Sequence, residues 1–233
     1  MKKILITGTD TGAGKTTFTC ALLRQALLAK LSARGMKPIA SGAESSTAGL
    51  QNDDALKLLA AQNLPMARYS QVNPYCFAEA IAPHLAQQLA NTAVELAVIR
   101  ENYDALAIDA DLMLVEGAGG FLSPLAMQAH GALLEHAELA RALGIADVLL
   151  VVGLRLGCIN HARLSEMAIK ASGLRCIGVI LSVLDADMLA LQGNIDTLKD
   201  RLSAPVLVVF DAAKPHDLSK ALEIIMSKPQ AEC

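Results

Sequence analysis

The residues from Gly8 to Thr16 have a pattern suited to holding a phosphate group. This segment, G-T-D-T-G-A-G-K-T, resembles the phosphate-binding pattern G-x-x-x-x-G-K-T with one additional residue between the first glycine and Gly14. Glycines let successive backbone N–H groups turn toward an anion, and the N-terminus of a following helix adds positive charge. Lys15 can reach the β- and γ-phosphates, and the Thr16 hydroxyl can bind Mg²⁺. We therefore predict a nucleotide site whose contacts include Asp10, Thr11, Gly12, Ala13, Gly14, Lys15, Thr16 and Thr17.

Two acidic positions are candidates for holding a metal that accompanies the nucleotide. Glu116 directly follows the apolar run Leu112–Val115 and precedes four glycine or alanine residues, 117–120. A carboxylate at the carboxyl end of a buried strand is typical of metal sites in nucleotide-binding proteins. Asp53 and Asp54 open a predicted helix, where either acid is equally well explained as an N-terminal cap. Lys37 follows the second predicted strand, and by itself it would more often be a solvated surface lysine.

Strands and helices alternate along the chain and would bring these residues together. We predict a single doubly wound α/β domain over residues 1–233, with a mostly parallel sheet flanked by helices and ligands beyond the carboxyl ends of the strands. Residues 43–51 are a candidate for disorder without ligand. The predicted strands are 2–7, 36–40, 112–115, 147–152, 175–182 and 205–209. The predicted helices are 16–33, 53–61, 83–90, 92–106, 157–172, 187–202 and 218–226.

Composition argues for a small-molecule partner. The chain has 20 basic and 23 acidic residues, net −3, which supports neither nucleic-acid nor membrane-surface binding. Mean hydropathy is +0.40, but polar residues interrupt every apolar run well short of a bilayer span. Gly8 ends the first apolar run too early for a signal peptide, so we expect a cytoplasmic protein. The five scattered cysteines include no C-x-x-C pair and predict neither disulfides nor zinc; Cys233 is expected to be an exposed thiol.

Taken together, the motifs resemble the dethiobiotin synthetase family, and the likeness extends over most of the chain. A phosphate loop alone would indicate only a superfamily, so the ordered companion motifs make the resemblance specific. The matching segments are Gly8-Thr9-Asp10-Thr11 with Gly14-Lys15-Thr16, Lys37-Pro38-Ile39-Ala40-Ser41-Gly42, Asn52-Asp53-Asp54-Ala55-Leu56, Val72-Asn73-Pro74-Tyr75, Pro83-His84, Val115-Glu116-Gly117-Ala118-Gly119-Gly120 and Leu156-Gly157-Cys158-Ile159-Asn160-His161.

The resemblance implies an ATP- and Mg²⁺-dependent ligase of biotin biosynthesis with a P-loop NTPase-like fold. In that family 7,8-diaminopelargonic acid takes up CO₂ as a carbamate, ATP phosphorylates the carbamate, and the second amine closes the ureido ring with loss of phosphate. A carbamate and a triphosphate are both anions, so bringing them together requires positive charge. Lys15, Lys37, the loop N–H groups and Mg²⁺ would supply it.

The resemblance also implies a role for individual residues. Thr16, Asp54 and Glu116 would bind Mg²⁺, and Lys37 would contact the carbamate and the γ-phosphate. Thr11 and Ser41 would bind the reacting end of the substrate, while Glu116, Gly119 and Ser182 would join the nucleotide contacts. The segment Gly157, Cys158, Ile159 and Asn160 would bind the distal carboxylate of a substrate in a neighbouring subunit, which implies a homodimer. Cys158 is then no nucleophile, and we interpret His161 as structural.

Three departures from the family pattern concern the loop and the base. Gly12 stands where a Glu is frequent, and Ser182 stands where an Asn commonly recognises adenine. Residues 205–211, P-V-L-V-V-F-D, lack the G-x-I-P-like segment expected near the base. The last two departures leave the phosphate contacts untouched. We therefore expect weaker discrimination for adenine and use of other nucleoside triphosphates.

Three alternatives remain open at this point. A regulatory or partitioning ATPase of the same superfamily is disfavoured, because such proteins commonly have a further lysine where this chain has Asp10. A non-catalytic relative is disfavoured by the presence of Lys15, Thr16, Lys37, Asp54 and Glu116. A related amide-forming ligase acting on another carboxylate is opposed only by residues 37–41 and 157–161.

Overall fold

A six-stranded parallel sheet forms the centre of the computed structural model, which describes residues 1–128, 131–214 and 216–227. The strand order is β12-β11-β10-β1-β7-β2, and each neighbouring pair is parallel. The prediction of a mostly parallel sheet flanked by helices is confirmed. Numbered in chain order with the shorter strands given below, its members are β1 (Lys2–Gly8), β2 (Ala33–Met36), β7 (Leu112–Gly120), β10 (Asp147–Leu154), β11 (Arg175–Val183) and β12 (Val206–Asp211).

The helices connect these strands. Strands buried on both faces are continuously apolar, and β10 is buried at every position because helices cover both sides of the sheet. The α-helices are α1 (Lys15–Leu28), α2 (Asp53–Ala61), α3 (Tyr69–Val72), α4 (Pro83–Leu89), α5 (Leu96–Ala107), α6 (His136–Leu143), α7 (Cys158–Ala171), α8 (Leu191–Arg201) and α9 (Ser219–Ser227).

Short strand pairs complete the fold near the site. β3 (Ile39–Ala40) pairs with β6 (Tyr75–Cys76), and β4 (Glu44–Ser46) pairs with β5 (Gly49–Gln51) as a hairpin. A third pair is formed by β8 (Ala126–Met127) and β9 (Leu133–Leu134). The hairpin occupies the stretch 43–51 that we expected to be disordered without ligand, so an ordered arrangement is available to it in the ligand-free chain.

The predicted boundaries of the first βαβ unit were wrong. Helix α1 ends at Leu28, not near residue 33, because Lys30 has a positive φ of 61°. The second strand of the sheet is Ala33–Met36 and not 36–40, since Pro38 has no backbone N–H to extend the ladder. Sequence analysis did not predict α6, and the helices expected from 92 and 187 begin four residues later, at Leu96 and Leu191.

The position of β1 explains where ligands should bind. After β1 the chain first adds β2 and β7 on one side, then β10, β11 and β12 on the other, so the winding direction changes at β1. Such switch points leave a crevice beyond the carboxyl ends of adjacent strands. Ile6 of β1 is level with Glu116 of β7, and the register shifts before Gly8 meets Gly120. The phosphate loop and Glu116 therefore open into the same crevice.

No helix in the described ranges combines the length and apolar character needed to cross a membrane. Among the described residues, Cys20, Cys76 and Cys158 form no disulfide. Cys233, expected to be an exposed thiol, lies outside the described residues.

Candidate active site

The phosphate loop joins β1 to α1 and has the backbone conformation that its glycines permit. Gly14 precedes α1 with a φ of 94°, a left-handed conformation that side chains disfavour. The Nζ of Lys15 donates to the carbonyl oxygens of Asp10 and Gly119, each at 2.8 Å. Burial, followed by the nearby charge of Lys37, lowers the pKa of Lys15 to about 8. Lys15 is thus still mainly protonated at neutral pH and folded back over the loop.

Beside the loop, side chains from distant segments form a cluster in which Lys37 pairs with two carboxylates and Thr16 contacts one of them. The Nζ of Lys37 lies 2.8 Å from Oε1 of Glu116 and 3.1 Å from Oδ2 of Asp54. The hydroxyl of Thr16 donates to the same Oε1 of Glu116 at 2.6 Å. The predicted metal group Thr16, Asp54 and Glu116 is therefore assembled in space, although its members lie as much as 100 residues apart.

The oxygen atoms of this group have the chemistry that Mg²⁺ requires. Glu116 is fully buried, and its Oε2 has no hydrogen-bond partner within the described chain. A buried carboxylate oxygen without a partner is costly, and a hard cation is one way to satisfy it. Two carboxylates and one hydroxyl fit a Mg²⁺ that completes its shell with water and phosphate oxygens.

Lys37 neutralises these acids in the ligand-free structure. Burial alone would lower the pKa of Lys37, but the charges of Glu116 and Asp54 and their hydrogen bonds outweigh burial and raise it. The pKa of Asp54 is in turn lowered: its own burial would raise it, but the charge of Lys37 dominates and a hydrogen bond from Thr16 adds to the effect. Lys37 is thus a buried ammonium and not the solvated lysine that its position alone suggested.

The ambiguity between Asp53 and Asp54 is resolved by α2. The N-cap is Asn52, whose Oδ1 accepts the backbone N–H of Ala55 at 3.3 Å. Asp53 points outward and pairs with Lys57 one turn later. Asp54 therefore faces the site, and neither acid is the cap.

A cleft of about 690 Å³ lies in front of this cluster. Ser41 lines it and donates its hydroxyl to the carbonyl of Ile81 at 2.7 Å. Sequence analysis missed the wall formed by residues 80–83 and Ser123; the only signal for it was the family-like pair Pro83-His84. The predicted site residues in the lining are Thr11, Gly12, Gly14, Lys15, Thr16, Thr17, Lys37, Ser41, Asp54 and Gly119.

Some predicted residues do not line this cleft. The segment Gly157–Asn160 lies at the start of α7, away from the cleft wall, and Cys158 is buried. Ser182 is buried against the phosphate loop, where a Cβ added to Gly14 would lie 2.3 Å from its Oγ. The side chain of Asp10 forms an ion pair with Arg155. Ala13 and Glu116 are buried and do not line the cleft either, whereas Gly12, which does, has a φ of 72° and open space where a Cβ would be.

A buried histidine behind the site had no sequence signal. His136 begins α6, is fully buried, and has no hydrogen-bond partner at either ring nitrogen within the described residues. A Cβ on Gly117 would lie 2.1 Å from its Nε2, so the residue after Glu116 must be glycine for the ring to fit. Burial, and secondarily the charge of Lys15, lowers the pKa of His136 to about 3.

The parallel sheet and phosphate loop define this chain as a P-loop nucleotide-binding protein, and a family model described as an AAA domain matches residues 2–216. The signal recognition particle receptor FtsY of Elizabethkingia anophelis aligns with a TM-score of 0.50 and 14% identity, over 97% of this chain and 65% of its own. That likeness shows the fold alone.

Sequence comparison is more specific. The ATP-dependent dethiobiotin synthetase BioD of Xylella fastidiosa strain M12 is 46% identical over 200 residues, which are 86% of this chain and 85% of the relative. The Pseudomonas aeruginosa strain UCBPP-PA14 protein of the same name is 48% identical over 208 residues, 89% and 88% of the two chains. The chain belongs to the ATP-dependent dethiobiotin synthetase family and is a ligase.

Proposed function

We propose that this enzyme makes dethiobiotin from 7,8-diaminopelargonic acid, CO₂ and Mg²⁺-ATP. The observation that supports this most strongly is the cluster beside the phosphate loop formed by Lys37, Asp54, Glu116 and Thr16. All of its members except the buried Glu116 line the cleft. In the proposed reaction one amine of the substrate adds to CO₂ and loses a proton, giving a carbamate. A carbamate oxygen then attacks the γ-phosphorus and ADP leaves. The second amine attacks the carbamate carbon, the ureido ring closes, and phosphate leaves.

The protein's part in this sequence is to hold two anions close together. The N–H groups at the start of α1 and the ammonium of Lys15 bind the phosphates. Lys37 lies between the phosphate loop and Ser41, where its charge stabilises the carbamate and the charge that develops on the transferred phosphoryl group. Thr11 and Ser41 orient the reacting end by hydrogen bonds. Bound by Thr16, Asp54 and Glu116, Mg²⁺ would supply further positive charge at the phosphate oxygens.

We also propose that the active unit is a homodimer. Gly157–Asn160 lies away from the cleft of its own chain, as it would if it binds the distal carboxylate of a substrate held by a second copy. Around the same helix, Leu122, Leu156, Leu164 and Met167 are each more than half exposed. A large exposed apolar surface favours association with another protein surface.

The proposed activity is tested by measuring phosphate release with Mg²⁺-ATP and bicarbonate, with and without 7,8-diaminopelargonic acid, while dethiobiotin is followed by mass. We expect release to depend on the diamine and to match dethiobiotin one for one. Phosphate release that does not depend on the diamine would instead support a regulatory ATPase of the same fold.

A further inference from the structure

A hydrogen-bond network centred on Tyr69 connects segments that contain proposed site residues. The Tyr69 hydroxyl accepts the backbone N–H of Asn52 at 2.7 Å and donates to Oδ1 of Asn73 at 2.9 Å. We call Asn52, Tyr69 and Asn73 the Tyr69 network. Tyr69 begins the short helix α3 and Asn73 caps its C-terminus, while Asn52 caps the N-terminus of α2, so the network joins two segments of the chain.

At one end, Asn52 controls the start of α2 and the backbone of Ser41. Its Oδ1 caps the helix, which fixes the first turn where Asp54 lies. Its Nδ2 donates to the carbonyl oxygen of Ser41 at 3.1 Å. Asn52 is itself buried, so these bonds are shielded from competing water. A shift of Asn52 would therefore move both Asp54 and Ser41.

At the other end, Asn73 holds the backbone of Lys37. The buried Nδ2 of Asn73 donates to the carbonyl oxygen of Lys37 at 2.7 Å and to that of Tyr75 at 3.0 Å. The N–H of Lys37 donates to the carbonyl of Val72 at 2.8 Å. Lys37 lies just past the end of β2, so its backbone takes its support from residues 72–73 and not from the central sheet.

The hydroxyl of Tyr69 is suited to joining these two ends. Burial raises its pKa far above neutrality, so the group keeps its proton. It can therefore accept one hydrogen bond and donate another at the same time. Phenylalanine in its place would leave both the N–H of Asn52 and the Oδ1 of Asn73 without this partner.

We propose that Tyr69 is a positioning residue that sets the separation between the Lys37 ammonium and the Asp54 carboxylate, 3.1 Å in this structure. The inference rests on the proposed roles of Lys37 and Asp54. Tyr69 does not line the cleft. It acts by positioning the backbone segments that carry the Lys37 and Asp54 side chains. Because phosphoryl transfer depends on closely placed charges, a small displacement should slow the reaction.

Tyr69→Phe tests the inference, with Tyr75→Phe as the matched control. Tyr75 is half-buried like Tyr69, and its hydroxyl also accepts the backbone N–H of a helix N-cap, Glu95, at 2.9 Å. Both changes remove the same kind of hydrogen bond, but only that of Tyr69 leads to Lys37 and Asp54. Tyr69→Phe also loses the donation to Asn73 and should lower Tm somewhat more than Tyr75→Phe, so both variants are assayed well below their measured Tm.

Activity and nucleotide binding supply the readouts. We expect Tyr69→Phe to lower kcat about tenfold, equivalent to one or two lost hydrogen bonds. Calorimetric ATP affinity in EDTA should stay within about twofold of wild type, because the phosphate loop is untouched. The gain in affinity on adding Mg²⁺ should fall about tenfold, because Asp54 is displaced. For Tyr75→Phe, kcat, the ATP affinity in EDTA and the gain in affinity with Mg²⁺ should each stay within about twofold of wild type.

Two further variants separate the ways in which the inference could fail. Asn52→Ser keeps a good helix cap but loses the donor to Ser41, and should raise the KM for the diamine severalfold without changing Tm greatly. Asp54→Asn should abolish most of the increase in ATP affinity that Mg²⁺ produces. If Asp54→Asn abolishes the gain and Tyr69→Phe behaves like Tyr75→Phe, the proposed role of Tyr69 is wrong while the metal assignment stands. If Asp54→Asn keeps the gain, the metal assignment is wrong and the role of Tyr69 falls with it.

Discussion

At the level of single residues, Lys37 is the group around which the proposed chemistry is arranged. Its ammonium lies between two carboxylates in the ligand-free structure, so the acids that would bind Mg²⁺ are already neutralised in part. Isolated buried charges are strongly unfavourable, and this pairing lets the site stay folded before ligands arrive. In the proposed complex with Mg²⁺-ATP, the carboxylates would gain a second cation, and Lys37 would then be released to contact anionic substrate.

The nucleotide base is expected to be recognised weakly. Ser182 is short and buried against Gly14, so it offers less than an amide side chain could to a base. One missing hydrogen bond amounts to about 1 kcal/mol, so we expect kcat/KM for ATP to exceed that for GTP or CTP by no more than about tenfold. Steady-state assays with each nucleotide check this. A strict preference for ATP would contradict it.

His136 should make the protein sensitive to acid. Its folded pKa of about 3 lies below its ordinary value, so the unfolded chain binds a proton first as pH falls. The associated stability is fully present above about pH 6.5 and is lost progressively as pH falls toward 3. From pH 7 to pH 5 wild type should lose about 2 kcal/mol through this residue.

Urea denaturation of His136→Leu at the two pH values measures this loss. Between pH 7 and pH 5, the free energy of unfolding of His136→Leu should fall by about 2 kcal/mol less than that of wild type. This difference does not depend on the stability of the variant at pH 7. The same change at the exposed His161 serves as the control and should leave the wild-type pH dependence in place. Parallel losses in wild type and His136→Leu would show that His136 does not contribute.

At the level of secondary structure elements, the sheet is fixed at its amino end by a buried ion cluster. Asp147 begins β10 and is fully buried; its carboxylate accepts Lys2 of β1 at 2.6 Å and Arg175 of β11 at 2.7 Å. These contacts join three neighbouring strands at the end opposite the cleft. Asp147 therefore matters for stability and is distant from the proposed chemistry.

Asp147→Asn should lower the free energy of unfolding by about 3 kcal/mol, because it breaks the buried ion pair with Lys2 and the pair with Arg175. Asp104→Asn breaks an exposed pair with Arg100 and should cost less than about 1 kcal/mol. Urea titrations of both variants give these values. The activity of folded Asp147→Asn should match wild type, and a loss of activity at full folding would contradict this account.

The elements show which parts of the fold a sequence can predict. Continuous apolar runs such as 148–152 are typical of buried parallel strands, and the strand predicted there was found. The end of β2 was misplaced because apolar residues continue through Ile39 and Ala40, which instead pair with β6. The Tyr69 network was not predicted, since hydrogen bonds between residues 52, 69 and 73 leave no periodic pattern.

The candidate site likewise contains residues that the sequence predicts and residues that it does not. The phosphate loop has a local sequence pattern, so its residues could be named in advance. Glu116 was identifiable because it directly follows the apolar run Leu112–Val115, although β7 continues to Gly120. The cleft wall at 80–83 and the buried His136 depend on how distant segments pack, and local sequence does not encode that packing in a recognisable pattern.

At the level of the whole molecule, we expect association through the apolar surface around α7. Leu164 and Met167 lie one turn apart on that helix and are more than half exposed. Leu164→Glu should convert the dimer to a monomer, which analytical ultracentrifugation detects. The rate of dethiobiotin formation should fall with it. Leu28→Glu alters a leucine that is even more exposed, at the end of α1, and should leave the dimer intact. A monomeric, fully active wild type would contradict the proposed dimer.

The most direct test of the account is dethiobiotin formation by Lys37→Met compared with Lys57→Met. Lys57 pairs with Asp53 on the exposed side of α2, so its loss should leave the rate within about twofold of wild type. Lys37→Met should lower kcat at least 100-fold, the scale of removing a charge that stabilises a transition state, while ATP still binds. Equal rates for the two variants would contradict the central claim that Lys37 and its carboxylate partners form the reaction centre.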